Sequence, residues 1–432
     1  MLPQTRHDEG LYPVPEFSVE KVDIDGFLDE LRGFHSAFRD CFSRSEPREN
    51  FFRYMVGQFS PLERKSIEPI ALRVEGAKPR SMQNAITDAL WNEERLLSKY
   101  HEWVNEDMGD PRGVLMFDES GFRKKGENSA GVARQYCGTI GKVDNCQVGV
   151  FAAYASPHGY ALLDKRLFIP EAWFDEGHEK KREKLNFPED LQYKTKPQLA
   201  AEMFTGIFQE GILPFRYVVA DSIYGENEDF IEAVTNHVGI TYFVEVGSDT
   251  LGWLQGPAIE IKTYRHKGET RTKRIVPEGE KKPQRLAQIA RSLHDVFWYR
   301  RTVSEGTKGP IDYEFTRRRL SLSKDGVPTR TVWLVIKRSI DKKEYWFYVS
   351  NAPLSTRLST FVWLSGIRWA IEQCFEESKG ELGMDHYEVR KYPAWNHHVT
   401  SCMLAHFFLW HLRIRLGKKI TAHYSVSAQD FA

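Results

Sequence analysis

The chain has 432 residues, 41% of them hydrophobic and 28% charged, with 60 basic side chains against 60 acidic ones. That length suits two or three domains, and the composition excludes a disordered chain or a polypeptide embedded in lipid. The net charge of zero hides an asymmetry: residues 248–347 carry 22 Lys and Arg against 12 Asp and Glu, a local excess of +10 matched by −10 elsewhere. A basic region beside an acidic remainder points to a phosphate-rich ligand held near a carboxylate centre.

Residues 1–105 read as helical. Leu28, Leu31, Phe34, Phe38 and Phe42 recur at three- or four-residue spacing. A short helix is expected from Ser60, with Ser60 as its cap and Pro61 at its first position. Another is expected after Ser81, with Met82, Ile86, Ala89 and Leu90 inward and Arg80, Gln83, Asn84 and Thr87 outward. Gln and Asn pair bidentately with adenine edges, so this is either a DNA-recognition helix or an amphipathic helix with an ordinary polar face.

Val114–Phe117 is an apolar run that reads as a buried strand ending at Asp118. Strand-like runs at 134–137 and 147–155 complete a three-stranded antiparallel meander, 171–195 reads as a charged loop, and 197–209 has helical periodicity up to Gly211. Phe215–Ala220 is a second buried strand that ends at Asp221, followed by a helix over 229–237 and a strand over 241–247. This βββ-α-β-α-β order is that of a ribonuclease-H-like α/β core, in which the first and fourth strands are neighbours and their terminal acids converge. Residues 248–350 then form a basic, β-rich insertion with strands at 296–301, 313–318, 331–337 and 345–349.

A proline-free segment from Leu354 to Met384 reads as one helix. At 100° per residue, Glu372 lies about 40° from Arg368 and Lys379 about 20°, so the three share a stripe, whereas Glu377 lies about 140° from Glu372 and Glu376 about 40°. A final core helix spans about 395–415; its stretch 401–410 is short and contains His406, with His411 just after it, and reads as a core helix rather than a membrane span. His386, His397 and His398 lack a third ligand at sensible spacing and read as surface or DNA-proximal residues. The five cysteines show no CxxC pair and no signal peptide precedes them, which suits a reducing cytosol.

Three carboxylates meeting in a cleft can hold two divalent ions for phosphoryl transfer, and all-oxygen ligands suit Mg²⁺. Asp118, Asp221 and Glu372 are the candidates; Glu119 and Glu376 are local rivals, and the bland alternative is that strand-end acids merely cap the next element.

Phe117-Asp118-Glu-Ser-Gly121, Ala220-Asp221-Ser-Ile-Tyr224-Gly225 and Arg368-x3-Glu372-x6-Lys379 together resemble the three blocks of DDE transposases of bacterial insertion sequences. The resemblance is to the group with a Tyr-x2-Arg-x3-Glu-x6-Lys signature, and within it to the insertion-sequence family called seven-zero-one. It runs from about Leu115 to the end of the chain; the signature tyrosine is replaced by Ser365. The resemblance implies four regions: a helical DNA-binding part at 1–105, the core at 106–247 and 351–432, and the insertion at 248–350. It also implies a metal site of Asp118, Asp221 and Glu372 holding two Mg²⁺ ions, with Mn²⁺ as a substitute, and Tyr224 in support. Arg368 and Lys379 would bind phosphates of the transposon end, or alternatively pair with Glu372, Glu376 or Asp385. Trp298, followed by Tyr299, Arg300 and Arg301, is the candidate to stack on a displaced base, with a core role as the alternative; Trp253 and Trp333 are further candidates. Lys124 and Lys125 read as phosphate contacts or a solvated loop.

The implied activity is cut-and-paste transposition in the bacterial cytoplasm. The chain would act on double-stranded terminal inverted repeats and target DNA as a homodimer in the synaptic complex, with no membrane partner. A hairpin intermediate follows from family analogy alone. The rival classes are a domesticated, non-catalytic DNA-binding regulator and a metal-dependent nuclease without strand transfer.

Overall fold

A computed structural model describes residues 21–416, except 268 and 307–308. The helical expectation for residues 1–20 lies outside the described residues. The chain divides into two compact units, one holding 21–216 and 368–416, the other 217–367.

The first unit opens with helices α1 (Lys21–Ser36), α2 (Ser45–Gln58), α3 (Ile67–Arg73), α4 (Pro79–Thr87) and α5 (Glu93–Met108). The buried stripe of α1 starts at Phe27 rather than at Leu28, which is 51% exposed. Either residue satisfies the helical spacing, and ring contacts of Phe27 with Phe59 (5.3 Å) and Phe408 (5.6 Å) decide between them. Ser60 does not cap a helix: its Oγ donates to Gly57 O (2.5 Å) just past the end of α2, and α3 begins only at Ile67. Nor does Ser81 cap α4, which starts at Pro79, where the missing N–H costs no hydrogen bond. Met82, Ile86 and Ala89 are buried as expected. Thr87, expected outward, is buried and accepts from Gln83 Nε2 (3.1 Å). Leu90, expected inward, is 84% exposed because the helix has already ended at Thr87.

Four antiparallel strands follow: β1 (Val114–Arg123), β2 (Ala133–Cys137), β3 (Lys142–Ser156) and β4 (Gly159–Phe168). β3 lies between β1 and β4, and β2 pairs with its first residues. The sequence reading ends the first strand at Asp118. In the structure β1 continues to Arg123, because β3 supplies backbone partners past the point where the side chains turn polar (Asp118↔Phe151, Glu119↔Val150). β4 has no counterpart in the order the sequence predicts. Its tight entry depends on Gly159, where a side-chain carbon would stand 2.6 Å from the Trp410 ring. The charged stretch expected to be loop contains α6 (Glu179–Lys184). α7 (Lys196–Glu210) is bounded by a Thr195–Gln198 capping box and by Gly211 at φ +67°.

The second unit begins with β5 (Tyr217–Ala220), α8 (Ser222–Gly225), α9 (Glu228–Thr235) and β6 (Thr241–Val246), and β5 and β6 are parallel. Next come β7 (Leu251–Trp253), β8 (Glu260–His266), β9 (Glu269–Ile275), β10 (Gln284–Arg285) and α10 (Leu286–Ser292). β11 (Tyr299–Gly306), β12 (Gly309–Lys324), β13 (Val327–Arg338), β14 (Tyr345–Ser350) and α11 (Leu358–Ile367) complete the unit. The stretch 251–350 is β-rich and extends the sheet of β6, which β14 joins in antiparallel pairing. The strand order is β10-β7-β12-β13-β14-β6-β5, with β11 also on β12, while β8 and β9 form a separate two-stranded sheet.

The chain returns to the first unit with α12 (Trp369–Gly380) and α13 (Tyr392–Leu416). The single helix expected over 354–384 is therefore two, divided at Arg368 just after the poor helix former Gly366. α13 is buried nearly all round, and among the described residues no helix is long and apolar enough to cross a membrane. The expectation of surface histidines fails for His397 and His398, which are 3% and 0% exposed. His397 stacks on Trp91 at 4.0 Å and donates from Nδ1 to Ile86 O (3.0 Å). His398 donates from Nε2 to Met384 O (3.0 Å) and accepts the Tyr54 hydroxyl on Nδ1 (2.8 Å).

Burial holds both His35 and His398 down at about 4. Unfolded, each titrates near 6.5, so between about 6.5 and 4 the unfolded chain binds more protons and stability falls with falling pH. Urea unfolding at about pH 5 should show roughly 4 kcal/mol less stability from this pair than at about pH 7.5. The variant His35→Phe/His398→Asn should flatten that dependence.

Candidate active site

β1 is buried from Val114 to Phe117 and again from Ser120 to Phe122, and between these runs it opens at Asp118 and Glu119. Asp118 Oδ1 accepts from the Glu119 backbone N–H (2.8 Å). Its Oδ2 lies 3.1 Å from Arg368 Nη1, while Arg368 Nη2 lies 3.2 Å from Glu372 Oε1. One guanidinium thus bridges two of the three sequence candidates from the break between α11 and α12. Its planar fork can serve two carboxylates at once, which an ammonium on a flexible stem does less well.

Of the local rivals, Glu119 stays beside the site: a carboxylate oxygen of Glu119 lies within 4.8 Å of one of Asp118, so the two could share a metal ion. Glu119 Oε1 pairs with Lys196 Nζ (2.8 Å) at the first position of α7, both side chains mostly buried. Glu376 is exposed and accepts from Gln373 Nε2 (2.7 Å). Lys379 does not join Glu372: its Nζ donates to Gly121 O (3.2 Å) and Thr139 Oγ1 (3.0 Å) and lies 5.2 Å from the Phe122 ring centroid. Burial there pushes its ammonium below the usual lysine value. Lys124 is not in a solvated loop. It lies 3.2 Å over the Tyr387 ring and donates to Tyr387 O (3.0 Å), and burial lowers its ammonium to about 7.

In the second unit Asp221 follows β5 directly and caps α8, accepting from Ile223 N–H (3.0 Å). Tyr224, one turn on, is fully buried. Ser365 Oγ donates to Val362 O (2.7 Å) within α11. Trp298 is 7% exposed, with the Arg338 guanidinium 3.9 Å over its face and Tyr345 edge-on at 6.1 Å, so its ring is packed on both counts. It precedes β11 rather than lying in it, because residues 295–297 form a 3₁₀ turn. Arg300 pairs with Asp312 (2.7 Å), and Arg301 is exposed. On α4, Arg80, Gln83 and Asn84 are exposed, with Gln83 bonded to Thr87.

The sequence reading assigned no role to Glu377. On α12 it accepts from the Tyr160 hydroxyl (2.7 Å) and from His406 Nε2 (2.7 Å), joining α12 to β4 and α13. Burial pushes its carboxyl up, but these hydrogen bonds and the His406 charge outweigh that and leave it below the usual value. The signal was available: the angular count that removes Glu377 from the Arg368 stripe turns it toward the core.

The sequence profile of the family described as DDE superfamily endonuclease matches residues 37–310, which is more than half of the chain and includes Asp118 and Asp221. The chain belongs to the DDE endonuclease superfamily. Within reach of that family, it is 25% identical over 374 residues to the probable transposase for insertion sequence element IS701 of Microchaete diplosiphon, covering 85% of this chain and 83% of the relative. The resemblance drawn from the three sequence blocks is borne out at both levels. Among solved structures, a piggyBac transposase synaptic complex with hairpin DNA is similar at 10% identity and a TM-score of 0.37, covering 96% of this chain and 70% of that one.

For this DDE endonuclease, Glu377→Leu should leave His406 and Tyr160 without their shared acceptor and cost about 2 kcal/mol in urea unfolding. Glu377→Gln, which keeps an acceptor for Tyr160, should cost less.

Proposed function

We propose that this chain is the cut-and-paste transposase of an insertion sequence. It binds the terminal inverted repeats, cleaves DNA at the element ends and joins the freed 3′-hydroxyl to target DNA. The observation that carries the reading is the Arg368 bridge between Asp118 and Glu372 in a chain of the DDE endonuclease family. Asp118, Asp221 and Glu372 would hold two divalent ions, Mg²⁺ by preference, since their donors are all hard oxygens. Such ions, when bound, activate the attacking oxygen and stabilise the leaving one in an in-line displacement.

The chain's own groups have separable tasks in this reading. Arg368 neutralises Asp118 and Glu372 before metal arrives and turns to a DNA phosphate afterwards. Lys379 spends two of its three ammonium donors on Gly121 and Thr139 and has a third for phosphate. Tyr224 supports the loop behind Asp221, and Glu377 fixes the rotation of α12. The exposed face of α4, with Arg80, Gln83 and Asn84, reads the repeats, and Arg300 and Arg301 meet the backbone. Trp298 serves base stacking only if Arg338 leaves its face. Synapsis joins two ends, so the active form is a homodimer on DNA.

The test is incubation with labelled inverted-repeat DNA and Mg²⁺, scored for nicks, hairpins and joined products. Asp118→Asn, Asp221→Ala and Glu372→Gln should each reduce cleavage by roughly a thousandfold while DNA binding persists. An Asp221→Ala protein that cleaves normally sinks the reading. Arg368→Gln should split two properties. Mg²⁺ affinity without DNA, measured by calorimetry, should rise roughly three- to tenfold as a competing cation is removed, while affinity for DNA falls.

A further inference from the structure

Among the described residues, β8 and β9 pair with each other as a two-stranded sheet apart from the main one. A lone hairpin is marginal in water because it has no apolar face to bury. This one is extreme: every described residue from Glu260 to Arg274 is exposed, on both faces, Ile261 to 71%. Its register makes matters worse. Lys262 stands directly opposite Lys273, and Tyr264 opposite Arg271. Like charges opposite one another on a ribbon repel. Between residues 260 and 275 there are six Lys and Arg against two acids, and one of those acids, Glu269, is already paired with Arg271 (3.0 Å).

We infer that the β8–β9 ribbon is an arm that enters the major groove of duplex DNA. Two strands about 4.8 Å apart, with side chains standing off both faces, fit a groove about 12 Å wide whose walls are phosphate rows. There Lys262 and Lys273 face anions instead of each other, and Arg265, Arg271 and Arg274 reach the groove walls. The inference rests on the reading that DNA is the substrate, and it adds an element separate from the candidate metal ligands, α4 and the Trp298 region.

The experiment uses the full chain and a labelled random-sequence duplex over a series of salt concentrations. Two variants are compared with the parent: Lys262→Glu/Lys273→Glu, and a chain in which 260–275 is replaced by an Asn-Gly turn, which the paired ends Glu260 and Ile275 permit. Both should keep the parent's circular dichroism and melting temperature. Both should bind duplex roughly tenfold more weakly, and the double variant should show a salt slope smaller by about two, the loss of two phosphate contacts. Unchanged affinity and slope overturn the inference. So does a variant that loses self-association in sedimentation but binds DNA as the parent does, since the ribbon is then a contact between copies. If the parent itself fails to bind duplex, the transposase reading falls along with the arm. If the parent binds and cleaves while the ribbon variants match it, only the arm falls.

Discussion

Helix α13 is buried on nearly every side yet carries His397, His398, Ser401, Cys402 and His406. A polar group buried without a partner costs about 1–3 kcal/mol, so each of these constrains what may pack against it. α2 meets the demand with Tyr54 and with Gln58, which accepts the Ser401 hydroxyl (2.7 Å) and donates to Cys402 Sγ. α4 supplies the Ile86 carbonyl, and α12 supplies Glu377. A packing that slipped by one residue would leave several groups unpaired at once. The N-terminal helices, α12 and β4 are therefore held in register by one helix. Because Glu377 sits five residues from Glu372, that constraint also fixes where the candidate metal ligand stands.

Charge in the first unit is arranged by the same logic. Lys65, 6% exposed, donates from its ammonium to Gln58 O (2.8 Å) and to Glu381 O, at the carboxyl ends of α2 and α12. Those ends carry partial negative charge, which stabilises a buried cation. At the site, Lys196 neutralises Glu119, and Arg368 neutralises Asp118 and Glu372 together. Two adjacent acids on β1 are thus given different counter-charges. The ammonium comes from the start of a capped helix. The guanidinium comes from a helix break and is the more easily redirected.

The second unit separates packed from unpacked aromatic and basic residues. Trp298 and Arg338 stack on each other, and Arg338 is tied to Asp295 and Glu314 (both 2.8 Å). Trp333 lies between Arg317 (4.7 Å) and Arg319 (5.1 Å) and donates to Pro353 O. These arginines have aromatic or acidic company within the sheet. The β8–β9 ribbon has almost none, so its excess charge faces outward.

The sequence alone determined the residue types of the candidate site, their order and the β-rich character of the insertion. Apolar runs ending in acids and a fixed Arg-x3-Glu-x6-Lys spacing are local patterns, and the basic excess can be counted. It also located the end of α7 at Gly211, because a helix stop is set by adjacent residues. Tertiary structure decided what local patterns leave degenerate. Phe27 and Leu28 fit one helical stripe equally well, and only the rings of Phe59 and Phe408 choose between them. Asp118 reads as a strand end because its side chain turns polar, whereas the backbone partners that carry β1 on to Arg123 come from β3. Lys379 lies on the Arg368 stripe by angle, yet its ammonium is taken by Gly121 and Thr139 from distant parts of the chain. Partners far apart in sequence leave no periodic trace, and for that reason the bridge from Asp118 through Arg368 to Glu372 exists only in the folded chain.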